Sequence, residues 1–534
     1  MVAEATMHAE LNRRQFLAVS LAALPTQVVQ EGIVGEPHGV KAGKQMFADG
    51  GNVVDAIVSA AAASAVATPH MCGFGGYGGH LILAVDGGKK ITCLDFNSAA
   101  PKAAHPAMFL QNNEAQLARH MYGWLAVGVP GIPAGLDRAV NKFGTFTFKK
   151  VLQPAITLCE EGFSLGPGVA AAIKTAQGRM AKDPGSASLY YPQGNALAPN
   201  SLFKNPALGK LLALMAKENS SHPFYQGGPA RLLARAMKEN GGILTEDDLK
   251  NYQALEVAPL RMNFRGKEFY TAPVTAGGIS ALQVLGILKG IEWGKVAWGA
   301  HLFARVEAMR LAWRDRLEHL GDTGLEKGPA ERLLSPEYLG QCREKVLQAV
   351  KLGECLPAAR SAPSQTGTIN LSAADRHGNL AALTLTHGGA FGAQVTVPEL
   401  GLTLGHGMSR FEIRPGHANS PGPRKRPLNN MCPTVVVQEG KAVAALGGRG
   451  GRRIPNSLFE VLFQIGQGES LAKAVAAGRV HTEGGLEVDL EKSYGETALK
   501  NLQVTGLQAK FGAAATISAV HRNPESGEVI TAMR

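Results

Sequence analysis

The chain has few of the residues that build metal centres or disulfide frameworks. Its 534 residues include only six cysteines, and none stands in a Cys-x-x-Cys pair or at a spacing that suits zinc. No stretch after the N-terminal region reaches the roughly 18 consecutive apolar residues that span a bilayer. We therefore expect buried free thiols with at most one incidental disulfide, no metal or organic cofactor, and no membrane span.

Positive charge is present but is not concentrated. The formal net charge of +11 is spread along the chain, and the longest basic run, Arg424-Lys425-Arg426, is short and flanked by prolines. No basic helix with interleaved aromatic residues accompanies it, which argues against a nucleic-acid partner. The charge instead suits solubility and the attraction of anionic substrates.

Glycine, in contrast, is abundant. The 65 glycines gather in short runs, which indicates that backbone segments approach one another or a ligand closely. The run Gly73–Gly78 formally satisfies Gly-x-Gly-x-x-Gly, but it leads into the strand-like segment Leu81–Val85 instead of following a strand. A dinucleotide site is therefore rejected.

Paired arginines precede a short apolar stretch at the N-terminus. Asn12-Arg13-Arg14-Gln15-Phe16-Leu17 is followed by the apolar segment Ala18–Leu24. This order resembles a twin-arginine export signal, although a basic tail is the alternative. We expect residues 1–30 to form a signal and tail, and the mature protein to be periplasmic or secreted.

The remaining chain alternates helical and strand-like patterns without a repeat, which predicts an α/β (α+β) fold. Ala300–Leu320 is predicted as an amphipathic helix and Leu260–Thr271 as a strand. Asn52 is predicted to cap a buried helix over Val53–Val66. The charged segment Glu344–Gln365 is expected to be exposed.

One segment, residues 367–386, predicts a hairpin with unusual chemistry. Strand-like residues Thr368–Asp375 and Leu380–Thr386 flank turn residues, and a hairpin centred on His377 places Thr386 opposite Thr368. Their Cβ atoms would be roughly 5 Å apart. If the chain were cut after Gly367, the new terminus would carry both a hydroxyl nucleophile and an amine that accepts its proton. A glycine-threonine step by itself more often begins an ordinary strand.

A set of short motifs carries a family resemblance from about residue 32 to the C-terminus. The motifs are Gly50-Gly51-Asn52-Val53-Val54-Asp55-Ala56, Ala126-Val127-Gly128-Val129-Pro130-Gly131, Glu160-Glu161-Gly162-Phe163, Gly241-Gly242-Ile243-Leu244-Thr245, Lys425-Arg426-Pro427-Leu428 and Gly450-Gly451. Their order and spacing resemble the gamma-glutamyltranspeptidase family. The resemblance implies an N-terminal nucleophile hydrolase with a four-layer αββα sandwich. It also implies a precursor that cuts itself at Gly367-Thr368 into a large subunit, 31–367, and a small subunit, 368–534, which stay together as a heterodimer.

The resemblance also implies the catalytic roles. Thr368 matches the nucleophile, with its freed amine as base, and Thr386 matches the threonine that orients it. Gly450 and Gly451 match the oxyanion-hole pair, whose backbone N–H groups face the developing negative charge. The implied reaction is hydrolysis or acyl transfer of γ-glutamyl amides or peptides, with water or an amine as acceptor.

The chain departs from the family at the positions that bind the substrate head group. Asn97 replaces the arginine that clamps the α-carboxylate, and Ser409 and Arg410 replace paired aspartates, one of which receives the α-ammonium. Asn429 and Asn430 replace paired serines. An arginine repels an ammonium, so the acyl group is predicted either to remain γ-glutamyl or to be a glutaryl-like group whose carboxylate meets Arg410.

Two further alternatives remain open. Arg410 could pair with the nearby Glu412 and have no influence on substrate. The whole chain could also be a non-catalytic binding protein of the cell envelope, although Thr368, Thr386 and the glycine pair argue for an enzyme.

Overall fold

Two six-stranded antiparallel sheets form the centre of the fold. The computed structural model describes residues 29–324, 328–359 and 367–534. The strands of the two sheets, numbered in chain order, are β1 (Gly32–Val34), β2 (Gly78–Val85), β3 (Lys90–Asp95), β4 (Leu255–Val257), β5 (Leu260–Phe264), β6 (Lys267–Thr271), β7 (Thr368–Ala374), β8 (Leu380–Thr386), β9 (Thr434–Gln438), β10 (Lys441–Arg449), β11 (Thr516–Arg522) and β12 (Val529–Met533). The first sheet has the order β1-β7-β8-β2-β3-β4, and the second has the order β12-β11-β10-β9-β6-β5.

Shorter strands form small sheets outside the sandwich. They are Leu110–Gln111 with Glu114–Ala115, Phe163–Ser164 with Leu202–Phe203, Thr396–Val397 with Leu402–Thr403, and a three-stranded sheet of Val480–Thr482, Glu487–Leu490 and Gln508–Phe511.

Helices cover the outer faces of the two sheets. They are α1 (Pro37–Ala48), α2 (Val53–Ala67), α3 (Leu117–Met121), α4 (Ile132–Phe143), α5 (Phe148–Glu161), α6 (Pro167–Met180), α7 (Pro184–Tyr190), α8 (Pro206–Glu218), α9 (His222–Tyr225), α10 (Gly228–Glu239), α11 (Glu246–Lys250), α12 (Gly278–Lys289), α13 (His301–His319), α14 (Pro329–Leu333), α15 (Pro336–Leu352), α16 (Ile454–Gly466), α17 (Leu471–Ala476) and α18 (Gly495–Gln503). None of the described helices has the length and apolar character needed to cross a bilayer.

Packing between the sheets and beneath the helices defines four layers. Small and branched apolar side chains such as Ala84, Ala382 and Val435 fill the space between the two sheets. Helix α2 packs on β7 and β8 of the first sheet, and α16 packs on β10 of the second. Strands β7 and β8 of the first sheet are buried along their whole length, because α2 covers one face and β10 of the second sheet covers the other. The expected αββα sandwich is confirmed.

Helix α2 begins where the sequence predicts. Asn52 accepts hydrogen bonds from the backbone N–H groups of Val54 and Asp55, and Asp55 accepts one from Asn52 in return, which completes a capping box. Every residue of α2 is buried, because the helix lies between the first sheet and the surrounding helices.

The predicted hairpin is present in the predicted register. Strands β7 and β8 pair antiparallel with Thr368 opposite Thr386. At the turn, one carboxylate oxygen of Asp375 accepts from the N–H groups of His377 at 2.9 Å and Asn379 at 3.0 Å. Its other oxygen accepts from Val53 at the start of α2, where a negative charge is favourable. The turn is thereby tied to the helix that covers this hairpin.

Two local predictions are wrong. Leu260–Thr271 forms two strands, β5 and β6, because Arg265 and Gly266 both adopt positive φ and reverse the chain. Helix α13 is buried around most of its circumference instead of being amphipathic, and its charged residues Glu307 and Arg310 form an ion pair inside the protein. The segment predicted to be exposed from Glu344 begins inside α15, which continues to Leu352, and most of its described residues, 344–359, are exposed or partly exposed.

Two further sequence predictions concern the cysteines and the N-terminal segment. All six cysteines are free thiols, of which five are buried and Cys355 is partly buried. The export signal is predicted within residues 1–30, and residues 1–28 lie outside the described residues. Export therefore stays a prediction.

Candidate active site

Three hydroxyl and carbonyl groups meet at the start of β7. The Thr368 hydroxyl donates to the Thr386 hydroxyl oxygen at 3.2 Å, and the Thr386 hydroxyl donates to the carbonyl oxygen of Gly367. The backbone N–H of Gly388 donates to the same Thr386 oxygen at 2.7 Å. Since a hydroxyl has one proton and two acceptor sites, the Thr368 proton points to Thr386 and the Thr386 proton points to the Gly367 carbonyl. Thr386 therefore contacts both the Thr368 hydroxyl and the carbonyl of the peptide bond that precedes it.

Gly367 occupies a backbone conformation that excludes a side chain. Its φ is +150°, and a Cβ atom built on it would lie 2.6 Å from the carbonyl carbon of Gly389. The predicted cleavage point thus lies in a backbone conformation that glycine adopts readily and residues with a side chain rarely adopt, against the loop that follows Thr386.

Replacing Gly367 with alanine is expected to slow self-cleavage at least about tenfold, because strain and the clash with Gly389 displace the carbonyl from Thr386. A time course of band appearance on denaturing gels measures the rate. Gly353→Ala is the matched control, since Gly353 also has positive φ but meets no neighbouring atom. Equal cleavage rates for Gly367→Ala and the unaltered chain would contradict the expectation.

The glycine pair lies at the nucleophile's end of the sandwich. Gly450 and Gly451 follow β10, whose Gly447 backbone lies against the side chain of Asn370, two residues after Thr368. Gly451 opens a short 3₁₀ turn that leads into α16, and N–H groups at such a helix start are free to bind negative charge. Their role as an oxyanion hole stays a prediction.

A cavity of about 610 Å³ brings together part of the predicted substrate site. Ser409, Arg410 and Asn430 line it, and we call it the arginine pocket because Arg316 and Arg452 line it too. Arg410 donates to the carbonyl oxygen of Gly388 at 2.6 Å, and the N–H of the same Gly388 donates to Thr386. Gly388 therefore links the guanidinium to Thr386 through two hydrogen bonds. Thr368 is itself buried and is not among the residues that line the pocket.

Asn97 and Asn429 lie in a neighbouring polar cluster. The Asn97 amide donates to the hydroxyl of Thr275 and to the carbonyl of Pro427, each at 2.7 Å. The Asn429 amide contacts a ring nitrogen of His80 at 3.0 Å. Both asparagines are buried, and neither lines the arginine pocket. The structure therefore separates these two predicted substrate residues from Ser409, Arg410 and Asn430.

The alternative pairing of Arg410 with Glu412 is wrong. Glu412 accepts from the Arg414 backbone at 3.2 Å and forms an ion pair with its guanidinium at 3.4 Å. Arg410 points instead toward Gly388.

Sequence reasoning missed three arginines and one tryptophan of the pocket, which are Arg316, Arg414, Arg452 and Trp313. Arg316 and Trp313 lie on α13, whose charged residues suggested an exposed face, so no local signal marked them. Arg452 directly follows the predicted oxyanion pair, and that position could have been noticed.

Two histidines near the β7–β8 hairpin, His387 and His406, are neutral. Burial lowers the pKa of His387 and of His406 to about 3. Neither ring therefore carries charge near neutral pH, and the positive charge of the site comes from arginine side chains.

Comparisons with known proteins agree with the family resemblance of the motifs. Residues 39–534 match the family described as Gamma-glutamyltranspeptidase. A glutathione hydrolase proenzyme of Escherichia coli K12 is 32% identical over 483 residues, covering 87% of this chain and 83% of that protein. The Acylase ACY 1 proenzyme of Pseudomonas sp. strain SE83 is 33% identical over 487 residues, covering 89% and 86%.

Solved structures share the fold. A cephalosporin acylase from Bacillus halodurans superposes with a TM-score of 0.85 at 22% identity, covering 100% of this chain and 98% of that one. A gamma-glutamyltranspeptidase from Pseudomonas nitroreducens gives a TM-score of 0.53 at 32% identity, covering 61% and 94%.

These matches confirm the resemblance drawn from the motifs and the expected class of enzyme, an amidohydrolase or acyltransferase of the N-terminal nucleophile type. The chain belongs to the gamma-glutamyltranspeptidase family.

Proposed function

We propose that the chain cuts itself between Gly367 and Thr368, and that the freed Thr368 then cleaves γ-glutamyl or related amide bonds through an acyl-enzyme. The observation that carries this proposal is the contact of Thr386 with both the Thr368 hydroxyl and the Gly367 carbonyl. An ordinary hairpin has no need for a hydroxyl that bridges a neighbouring hydroxyl and the preceding carbonyl.

In the first step, the Thr368 oxygen attacks the Gly367 carbonyl carbon. The hydrogen bond from Thr386 stabilises the negative charge that develops on the carbonyl oxygen. The carbon–nitrogen bond then breaks, the nitrogen takes up the proton that the hydroxyl lost, and an ester joins Gly367 to the Thr368 oxygen. Water hydrolyses this ester, which leaves two chains and a free amine on Thr368.

In the second reaction, the new amine acts as the base. With a pKa near 8, it accepts the Thr368 hydroxyl proton directly or through water as the oxygen attacks a substrate amide. The Gly450 and Gly451 N–H groups stabilise the oxyanion, and the amine returns the proton to the leaving nitrogen. Water, or an amine, then takes the acyl group from Thr368.

The names of two relatives support the substrate class. One is called a glutathione hydrolase proenzyme and the other an acylase proenzyme, so both point to small-molecule amide substrates. The same names support a processed pair of subunits over the alternative of a non-catalytic binding protein. We further propose that the twin-arginine signal delivers the protein to the periplasm or the exterior.

Denaturing electrophoresis combined with chromogenic anilides tests this function. The purified protein should give two bands of roughly 37 and 18 kDa, from about 110 Da for each residue. It should also release nitroaniline from γ-glutamyl or glutaryl p-nitroanilide. A single uncut band together with no turnover of either anilide would contradict the proposal.

A further inference from the structure

The arginine pocket holds more positive charge than the protein neutralises. Four arginines line it: Arg316, Arg410, Arg414 and Arg452. Arg414 forms an ion pair with Glu412, and Arg452 with Glu483. Within the described ranges, no carboxylate lies within ion-pairing distance of the other two, Arg316 and Arg410.

Arg316 is buried among neutral oxygens. Only 3% of its surface is exposed, and its guanidinium donates to the Asn429 carbonyl and, at 3.3 Å, to the side-chain oxygen of Asn430. Burial lowers its pKa to about 10, and the charges of Arg452 and Arg410 act in the same direction. The three guanidiniums are thus close enough to repel one another.

Arg410 keeps donor capacity that the protein does not use. One of its terminal nitrogens donates to Gly388, but its Nε atom is inaccessible to solvent and has no partner among the described residues. One terminal nitrogen of Arg452 is in the same position. Buried donors without acceptors are costly, so they are expected where a ligand supplies the acceptor.

The ring of Trp313 contacts two of these arginines, Arg316 and Arg452, and holds them in place. The Arg452 guanidinium lies 5.0 Å and the Arg316 guanidinium 5.7 Å from the centre of its ring. The indole N–H donates to Asn456 at 2.8 Å, which fixes the ring. Two cations against one aromatic ring form a rigid positive surface instead of a set of mobile side chains.

Resting on the proposed function, we propose that Arg316, Arg410 and Arg452 form the acyl-carboxylate site, and that the preferred acyl group is a dicarboxylic acid monoamide without an α-ammonium. Arg410 connects this site to Thr386 through Gly388, and Arg452 directly follows the oxyanion glycines. A carboxylate at the end of the acyl chain neutralises the unpaired guanidiniums. An ammonium placed there would add to their repulsion.

Kinetics on the self-processed protein test the proposal, with three p-nitroanilides of similar length: glutaryl, γ-glutamyl and the uncharged valeryl. We expect kcat/KM for glutaryl to exceed both others at least about tenfold, as one charge-assisted hydrogen bond provides. Arg410→Gln should lower kcat/KM for glutaryl about 10- to 100-fold and change the valeryl value little. Arg424→Gln, on an exposed loop outside the pocket, is the matched control.

The outcomes separate this proposal from the proposed function. An uncut chain, or no turnover of any anilide, refutes the enzyme itself. Turnover with a clear preference for γ-glutamyl or valeryl anilide refutes only the acyl-carboxylate site. An equal fall for glutaryl and valeryl anilides in Arg410→Gln would show that this arginine only supports the Gly388 loop, and would overturn the proposal. Competitive inhibition by free glutarate, absent with valerate, supports it independently of substrate chemistry.

Discussion

Replacing Thr368 with alanine should leave a single uncut chain that hydrolyses no amide. The substitution removes the attacking oxygen of both proposed reactions and keeps the backbone of β7 unchanged. Loss of a nucleophile that acts together with its base costs about 10⁴-fold or more in rate, which places residual turnover below ordinary detection. Gel electrophoresis and the anilide assay measure the two effects separately.

Matched variants sharpen this expectation. Thr368→Ser keeps a hydroxyl and should still cut, more slowly, because it lacks the methyl group that fixes the rotamer. Thr531→Ala changes an exposed threonine on the edge strand β12 and should behave like the unaltered protein. A Thr368→Ala chain that yields both fragments would refute the proposed self-cleavage.

The second large effect is expected at Thr386. Valine has nearly the same shape, but Thr386→Val removes the hydroxyl that contacts Thr368, Gly367 and Gly388. We expect cleavage to slow about 10²- to 10³-fold, the cost of losing one donor to a developing oxyanion. The buried Gly388 N–H also loses its acceptor, which should lower the free energy of unfolding by about 1–3 kcal/mol.

The cleavage time course and thermal unfolding of Thr386→Val together check this account. Thr386→Ser restores the hydroxyl and should recover most of the cleavage rate. If valine cut as fast as threonine, the carbonyl of Gly367 would need another source of polarisation, and the role given to Thr386 would be wrong.

Local patterns predicted the hairpin and the helix that covers it. A turn centred on His377 fixes which residues of β7 and β8 face one another, so the pairing of Thr368 with Thr386 follows from counting. Asn52 marks the start of α2 because its side chain satisfies N–H groups of its own first turn. Both features depend on residues close together in the chain.

The arginine pocket depends on residues that are distant in the chain. Arg316 comes from α13, Arg410 from the turn that follows the short strand Leu402–Thr403, and Arg452 from the 3₁₀ turn that follows β10. On α13, charged residues at helical spacing normally indicate a solvent-facing surface. Here Glu307 and Arg310 form a buried pair at 2.6 Å, and Arg316 faces a cavity, because helices and strands enclose α13 on several sides. Tertiary packing, which no local pattern contains, decided the role of these charges.

The structure brings the predicted catalytic residues together, but it separates the predicted substrate residues into two groups. Thr368, Thr386 and the glycine pair lie at one end of the sandwich, as the resemblance implies. Asn97 and Asn429, carried over from the same resemblance, bond to protein groups in a separate cluster. The chain carries different side chains at the positions that match the family's head-group site. A matching position therefore predicts a substrate contact less well than it predicts a place in the fold.

Intact mass and N-terminal analysis of the purified protein tests the central claim most directly. The account predicts a small chain that begins with Thr368, bears a free amine and gains the mass of one acyl group when an amide substrate is trapped on it. An unbroken peptide that spans Gly367 and Thr368, in protein that still hydrolyses amides, would contradict it.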